Sequence, residues 1–237
     1  AGGWPALIYQ HGTRGDYKSF IDAGSGRAAA HLHDASAALI AKMAMIRPDQ
    51  VLHGTRLPPG TNYDLAFFNF LNVDAVRDNA KQGALDGFQV VRLIHAIDVA
   101  SAPTTGRHIK FDTSRIYFKG HSQGGLTGPL FLVAEPEVKA AILSGAGGDL
   151  IYSLLNKTEP DDIPKLVQGL IHDDADEFHP LLSLVQSYLE GTDPINYARH
   201  LFAEPFDGVP PKSIFQTLGI VDHYTPIMRF VVGSVWA

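Results

Sequence analysis

Gly120-His121-Ser122-Gln123-Gly124, followed by Gly125, is the stretch that decides the fold class. A β-type run, Arg115 to Lys119, precedes it, and Gly124-Gly125-Leu126 opens a helical stretch behind it. G-x-S-x-G between a strand and a helix puts the serine on a sharp, strained turn. Side chains two residues away on either side would collide with neighbouring backbone, hence the glycines. The helix that follows aims free N–H groups and the positive end of its dipole at the place where an oxyanion would develop. Ser122 is therefore the candidate nucleophile. The pattern alone arises often by chance, and a glycine-rich helix start without chemistry is the competing reading; the strand–turn–helix setting favours the nucleophile. Pro129, early in that helix, has no N–H to donate, which predicts a kink or a loosened first turn.

Outward from this turn, short apolar runs alternate with helical stretches, the pattern of a mostly parallel sheet with helices on both faces. Towards the N-terminus, Pro5 to Gln10 reads as a strand ending in His11-Gly12-Thr13-Arg14-Gly15. A helix is expected from about His31 to Met43, and a second strand from Met43 to Leu52, interrupted by Arg47-Pro48. Asp74 is placed to cap a helix whose apolar residues Val76, Ala80, Ala84, Phe88, Val91, Ile94 and Ile97 recur at steps of three or four, one helical face. Ser101 to Gly106 reads as a loop and Ile116 to Phe118 as a short strand. Towards the C-terminus, Val138 to Leu143 makes another strand before the turn Gly145-Ala146-Gly147-Gly148. From Asp149 to Pro211 the pattern changes: Leu154-Leu155, Leu166-Val167 and Leu181-Leu182 sit among acidic and proline-containing turns, as in a helical insertion. Ser213 to Leu218 resumes the strand pattern. The expected division is therefore a core of 1–148 and 212–237 with a helical cap over 149–211, whose leucines form a small core and in part face the mouth of the site.

Composition narrows the function classes. The 237 residues fit one α/β domain carrying an insertion. A formal charge of −6 argues against a nucleic-acid surface. The chain has no cysteine, so disulfides, thiolate metal sites and cysteine catalysis are excluded, but this does not choose a compartment. No apolar run approaches the roughly 20 residues of a bilayer span. The acidic run His172 to His179 lacks calcium-loop spacing and H-E-x-x-H, and the glycine clusters lack a nucleotide fingerprint, so neither metal nor cofactor is inferred.

On these motifs the chain resembles the α/β-hydrolase superfamily, and within it bacterial lipases and esterases, from Pro5 to about Phe230. The elbow carries the resemblance first. His11-Gly12-Thr13 after the first strand is similar to the segment that forms half of the family's oxyanion hole, which implies the backbone N–H groups of Thr13 and Gln123 as donors. Gly219 to Pro226 resembles the acid loop, which implies Asp222 as the group that orients the catalytic imidazole; a solvated turn aspartate is the alternative. The implied activity is hydrolysis of a small-molecule ester with an apolar acyl group, by two-step acyl transfer. Thioester or peptide hydrolysis is the nearest rival, and from another class, a catalytically impaired binding or assembly module.

The family's pattern breaks at the base. Its histidine follows the acid on a later loop, whereas here His223, the neighbour of Asp222, is the last histidine. Both ends are therefore expected to be truncated, with a missing segment or second chain supplying the imidazole. His11, His53, His121 and His223 all fall at expected strand ends, yet each has a structural explanation, and His121 is expected to point beneath the elbow.

Overall fold

In the central strands of this sheet buried residues, Ile116, Phe118 and Gly120 in one and Val138, Ala141 and Leu143 in the next, are separated by partly or fully exposed ones, so one face carries the core. A computed structural model describes residues 3–19, 38, 40–62, 66–103, 106–159, 161–219 and 222–226. Its strands are β1 (Trp4–Gln10), β2 (Ala44–Ile46), β3 (Asp98–Val99), β4 (Ile109–His121), β5 (Val138–Ser144) and β6 (Ser213–Thr217). The order is β2-β1-β4-β5-β6, parallel throughout, with β3 antiparallel to the start of β4. The carboxyl ends of β1, β4, β5 and β6 thus share one edge, where open parallel sheets bind ligands.

Two strands differ from expectation. β4 begins at Ile109, because Ile109 and Lys110 pair with β3 while the register to β1 jumps from Trp4↔Phe111 to Ala6↔Ile116. The turn-forming Asp112-Thr113-Ser114 lies in that irregularity, with the Ser114 N–H and hydroxyl bonded to the Asp112 carboxylate. β2 stops at Ile46, directly before Arg47-Pro48. Most of the expected helix from His31 to Met43 lies outside the described residues.

Two helices cover the sheet face of Ile116, Phe118, Ala141 and Leu143: α1 (Val73–Ala96) and α2 (Gln123–Leu132). The cap of α1 is Asn72, whose side chain accepts the Ala75 N–H at 3.2 Å, and not Asp74. Asn72 has the non-helical backbone a cap needs, while Asp74 already lies in the first turn. Val76, Ala84, Val91 and Ile94 are buried as the spacing predicts, together with Gly83 and Gly87. These glycines let the two helices touch: a methyl on Gly87 would stand 2.7 Å from the Phe131 ring. Pro129 is buried, and α2 continues through it to Leu132.

Between β5 and β6 lie α3 (Leu150–Asn156), α4 (Ile163–Ile171) and α5 (Pro180–Leu189), joined around Ile151, Ile163, Val167 and Leu182 in a core of their own. The 3₁₀ run Pro194–Leu201 packs instead on α2, and its Leu201 belongs to the main core. Asp193 lies at this junction, fully buried. Its carboxylate accepts the N–H groups of Asp149 and Leu150 at 2.8 Å each, that of Ile195 at 3.1 Å, and the Gln186 amide at 2.8 Å. So many donors offset the cost of burying a charge.

Candidate active site

Ser122 stands between β4 and α2 with φ 50° and ψ −113°, a backbone that side chains rarely adopt. Strain of this kind costs about 1–3 kcal/mol and persists only where the surroundings impose it. Here the Ser122 N–H donates to the Ser144 carbonyl at 2.8 Å, and its carbonyl accepts from Gly125 at 2.7 Å and Leu126 at 3.1 Å. The flanking glycines are steric requirements: a methyl at Gly120 would run into the Gly124 carbonyl, and one at Gly124 into that of Gln10.

The loop after β1 meets this turn from the side. A methyl on Gly12 would lie 3.0 Å from Ser122 Cβ, and the Gly124 N–H donates to the His11 carbonyl at 3.2 Å. Thr13 Oγ1 donates to Gln123 Oε1 at 3.1 Å, so the two residues expected to supply oxyanion donors are neighbours. The Gln123 N–H opens α2, where the first N–H groups lack helical partners.

Asp222 lies across the same edge, beyond β6. Its Oδ1 accepts the N–H groups of Tyr224 and Thr225 at 2.9 Å each, and its Oδ2 accepts the Thr225 hydroxyl at 3.0 Å. Ser122, Thr13 and Asp222 border one cleft. Among the described residues, no imidazole hydrogen-bonds the Ser122 hydroxyl or the Asp222 carboxylate.

The four histidines near this edge are disposed differently. His223 turns away, with Nδ1 3.1 Å from the Thr158 hydroxyl and its carbonyl accepting the N–H groups of Thr158 and Glu159. His53 is fully buried, its Nδ1 2.8 Å from the Val51 carbonyl. His121 does not lie beneath the elbow; it borders the cleft beside Gly12, with Nδ1 3.2 Å from Ser144 Oγ. His11 is buried, with Nδ1 2.8 Å from the Gly12 carbonyl and Nε2 accepting the Gln50 N–H at 3.2 Å, an arrangement that fixes the neutral tautomer.

Burial pushes His11 from its ordinary 6.5 down to about 4; the Gly12 hydrogen bond, Asp49 and Asp16 pull it up, and His53 pushes it further down. The folded value lies below the unfolded one, so the unfolded chain takes up this proton first. Its contribution to stability is complete above pH 6.5 and is lost as pH falls towards 4. The loss amounts to on the order of 3 kcal/mol. Urea unfolding at pH 7.5 and 4.5 should therefore show a smaller pH dependence in His11→Gln than in the unaltered protein. Equal dependence in both would refute this assignment.

The cleft holds about 1050 Å³. The sheet edge borders it, and its walls are mostly apolar, formed by Phe67, Phe68 and Phe70 together with Leu150, Leu154 and Leu189 from α3 and α5. Phe67 and Phe68 meet edge to face at 4.8 Å, and Phe68 stacks on Phe70 at 6.3 Å. Sequence reasoning missed this aromatic wall, although Phe67-Phe68-Asn69-Phe70 is the densest aromatic run in the chain. Leu154 borders the cleft, whereas Leu181 points outward beside the buried Leu182.

No protein-family model matches the chain, and no curated protein matches it in sequence. Among solved structures it is similar to an acetyl xylan esterase from a Paenibacillus species, with 17% identity and a TM-score of 0.58 over 98% of this chain and 72% of the other. It is similar also to acetyl xylan esterase 1 from a Thermoanaerobacterium species, with 15% identity and a TM-score of 0.57 over 99% and 73%. A prolyl endopeptidase structure matches with 14% identity and a TM-score of 0.53 over 94% of this chain and 26% of the other. The chain has the α/β-hydrolase fold. No helix among the described residues is long and apolar enough to cross a membrane.

Proposed function

We propose that this chain is a serine hydrolase of carboxylic esters that works through an acyl-enzyme on Ser122. The observation that carries the proposal is the strained Ser122 at the edge of an apolar cleft that Thr13 also borders, with the Thr13 side chain bonded to that of Gln123; the backbone N–H groups of these two residues are the proposed oxyanion donors. In the first step Ser122 Oγ attacks the ester carbonyl and gives its proton to an imidazole. The oxyanion rests on the two N–H groups, and the alcohol leaves with that proton. Water then attacks the acyl-enzyme by the reverse proton path. Asp222 orients the imidazole, which comes from outside the described residues. Residues 1–148 and 212–237 form the catalytic core, and α3 to α5 cap the cleft; Pro194–Leu201 goes with the core through its packing on α2.

The test is covalent labelling: a fluorophosphonate should modify Ser122 and no other serine, as read by mass spectrometry. Modification elsewhere in the folded protein would sink the assignment. The absence of a described imidazole at Ser122 favours one second reading, a hydrolase-fold module that binds an apolar ligand without turnover. Steady hydrolysis of p-nitrophenyl esters rules that reading out.

The cleft walls support an apolar acyl group. Leu154→Ala is expected to lower kcat/KM for an octanoyl ester about tenfold while leaving the acetyl ester nearly unchanged, since filling an apolar wall discriminates by about 1–3 kcal/mol. Equal loss on both esters would place the acyl chain elsewhere.

A further inference from the structure

The loop that carries the Thr13 N–H has no regular secondary structure, and its Arg14 adopts φ 67°. What fixes it lies 32 residues away in sequence. Asp49 is buried, only 8% exposed, and its Oδ1 accepts the Tyr17 N–H at 2.7 Å. Oδ2 accepts the N–H and hydroxyl of Thr55 at 2.8 and 2.7 Å. Gly54, at φ 52°, leaves the space this carboxylate occupies, for a methyl there would overlap it. Burial alone would raise the Asp49 carboxyl, but the Thr55 and Tyr17 hydrogen bonds and the neighbouring His11 hold it below its ordinary value. The next residue, Gln50, takes hold of the loop's other end. Its N–H donates to His11 Nε2 at 3.2 Å and its side-chain amide to the His11 carbonyl, the same carbonyl that accepts the Gly124 N–H.

Residues 11–17 are thus gripped at both ends by one consecutive pair, with Thr13 between the grips. We infer that Asp49, acting with Gln50, is a positioning residue that sets the Thr13 N–H where the oxyanion forms; the inference rests on the ester-hydrolase reading above. Asp49 works through the loop and touches no substrate. Its influence falls on the transition state, because an oxyanion donor binds the developing charge far more strongly than the ground-state carbonyl.

The experiment compares the unaltered protein with Asp49→Asn and Thr55→Val. Asn matches Asp in shape but turns an N–H towards one of the donors now bonded to the carboxylate. In Asp49→Asn, kcat for p-nitrophenyl acetate should fall about 10- to 100-fold, with KM moving less than about threefold. Affinity for an alkyl boronic acid, which adds to Ser122 as a tetrahedral anion, should fall in step with kcat. Thr55→Val, which removes one of three hydrogen bonds, should show the same signature at about a tenth of the size, and decides alone if Asp49→Asn does not fold. A folded variant with unchanged kcat, or a loss of kcat without loss of boronate affinity, overturns the role. If the unaltered protein shows no Ser122-dependent turnover, the ester-hydrolase reading itself fails and the role falls with it, a result the unaltered control distinguishes.

Discussion

Ser122→Ala is expected to lower kcat/KM for a short p-nitrophenyl ester by on the order of 10⁴- to 10⁶-fold and to abolish fluorophosphonate labelling. The remaining rate would come from the N–H groups of Thr13 and Gln123, which the substitution leaves in place. The fold should survive, because the hydrogen bonds that hold the turn use the Ser122 backbone: its N–H to Ser144, and its carbonyl from Gly125 and Leu126. Alanine removes the hydroxyl but keeps φ 50° and its strain. Ser122→Gly removes both, so it should be equally inactive yet more stable than Ser122→Ala by on the order of 1 kcal/mol, glycine taking positive φ without steric cost. The two variants separate the chemical role of the hydroxyl from the strain at the turn. Turnover within tenfold of the unaltered protein in either variant would remove Ser122 from the mechanism.

The fold was legible in the sequence because its decisive features are local. Gly120 reports a collision with the Gly124 carbonyl four residues on, and the steps from Val76 to Ile94 report a helical face whatever lies opposite it; Gly124, which makes room for Gln10 of the neighbouring strand, is legible only through the motif. Where a feature depends on distant chain, the sequence was silent or misleading. Asp49 looks like any turn aspartate until Tyr17 and Thr55 are brought to its two oxygens. Asn72 and Asp74 are equally good caps by composition, and the backbone conformation at Asn72 chooses between them. The expected strand began only at Arg115, because the polar Asp112-Thr113-Ser114 breaks the apolar run; in the fold it is the irregularity between two registers. His121 was expected beneath the elbow, and its approach to Gly12 instead depends on β1 and β4 being neighbours. The imidazole that completes the proposed site carries no local signal among the described residues, and no sequence period could have supplied one.

On the proposed mechanism, Asp222→Asn is expected to lower kcat about 10⁴-fold while leaving the loop and KM nearly unchanged, the size of loss that follows when the acid of a serine protease triad becomes asparagine. The hydrogen bonds explain why the loss would be chemical. Oδ1 already accepts two backbone N–H groups, from Tyr224 and Thr225, and an asparagine oxygen can accept both. The amide nitrogen then takes the place of Oδ2, where the Thr225 hydroxyl can reverse its role and accept. The turn keeps its shape. What changes is the group presented to an incoming imidazole: an acceptor becomes a donor, which selects the wrong tautomer, with the proton on the nitrogen that must face Ser122. Asp222→Ala, by contrast, strips the loop of all three hydrogen bonds and should lower the melting temperature as well as kcat. The comparison therefore separates a turn aspartate from a catalytic one. If Asp222 serves only its turn, Asp222→Asn is silent and Asp222→Ala loses stability first; if it orients the base, Asp222→Asn is folded, labels slowly with fluorophosphonate and barely turns over. Full activity in a folded Asp222→Asn would return Asp222 to the status of a turn residue.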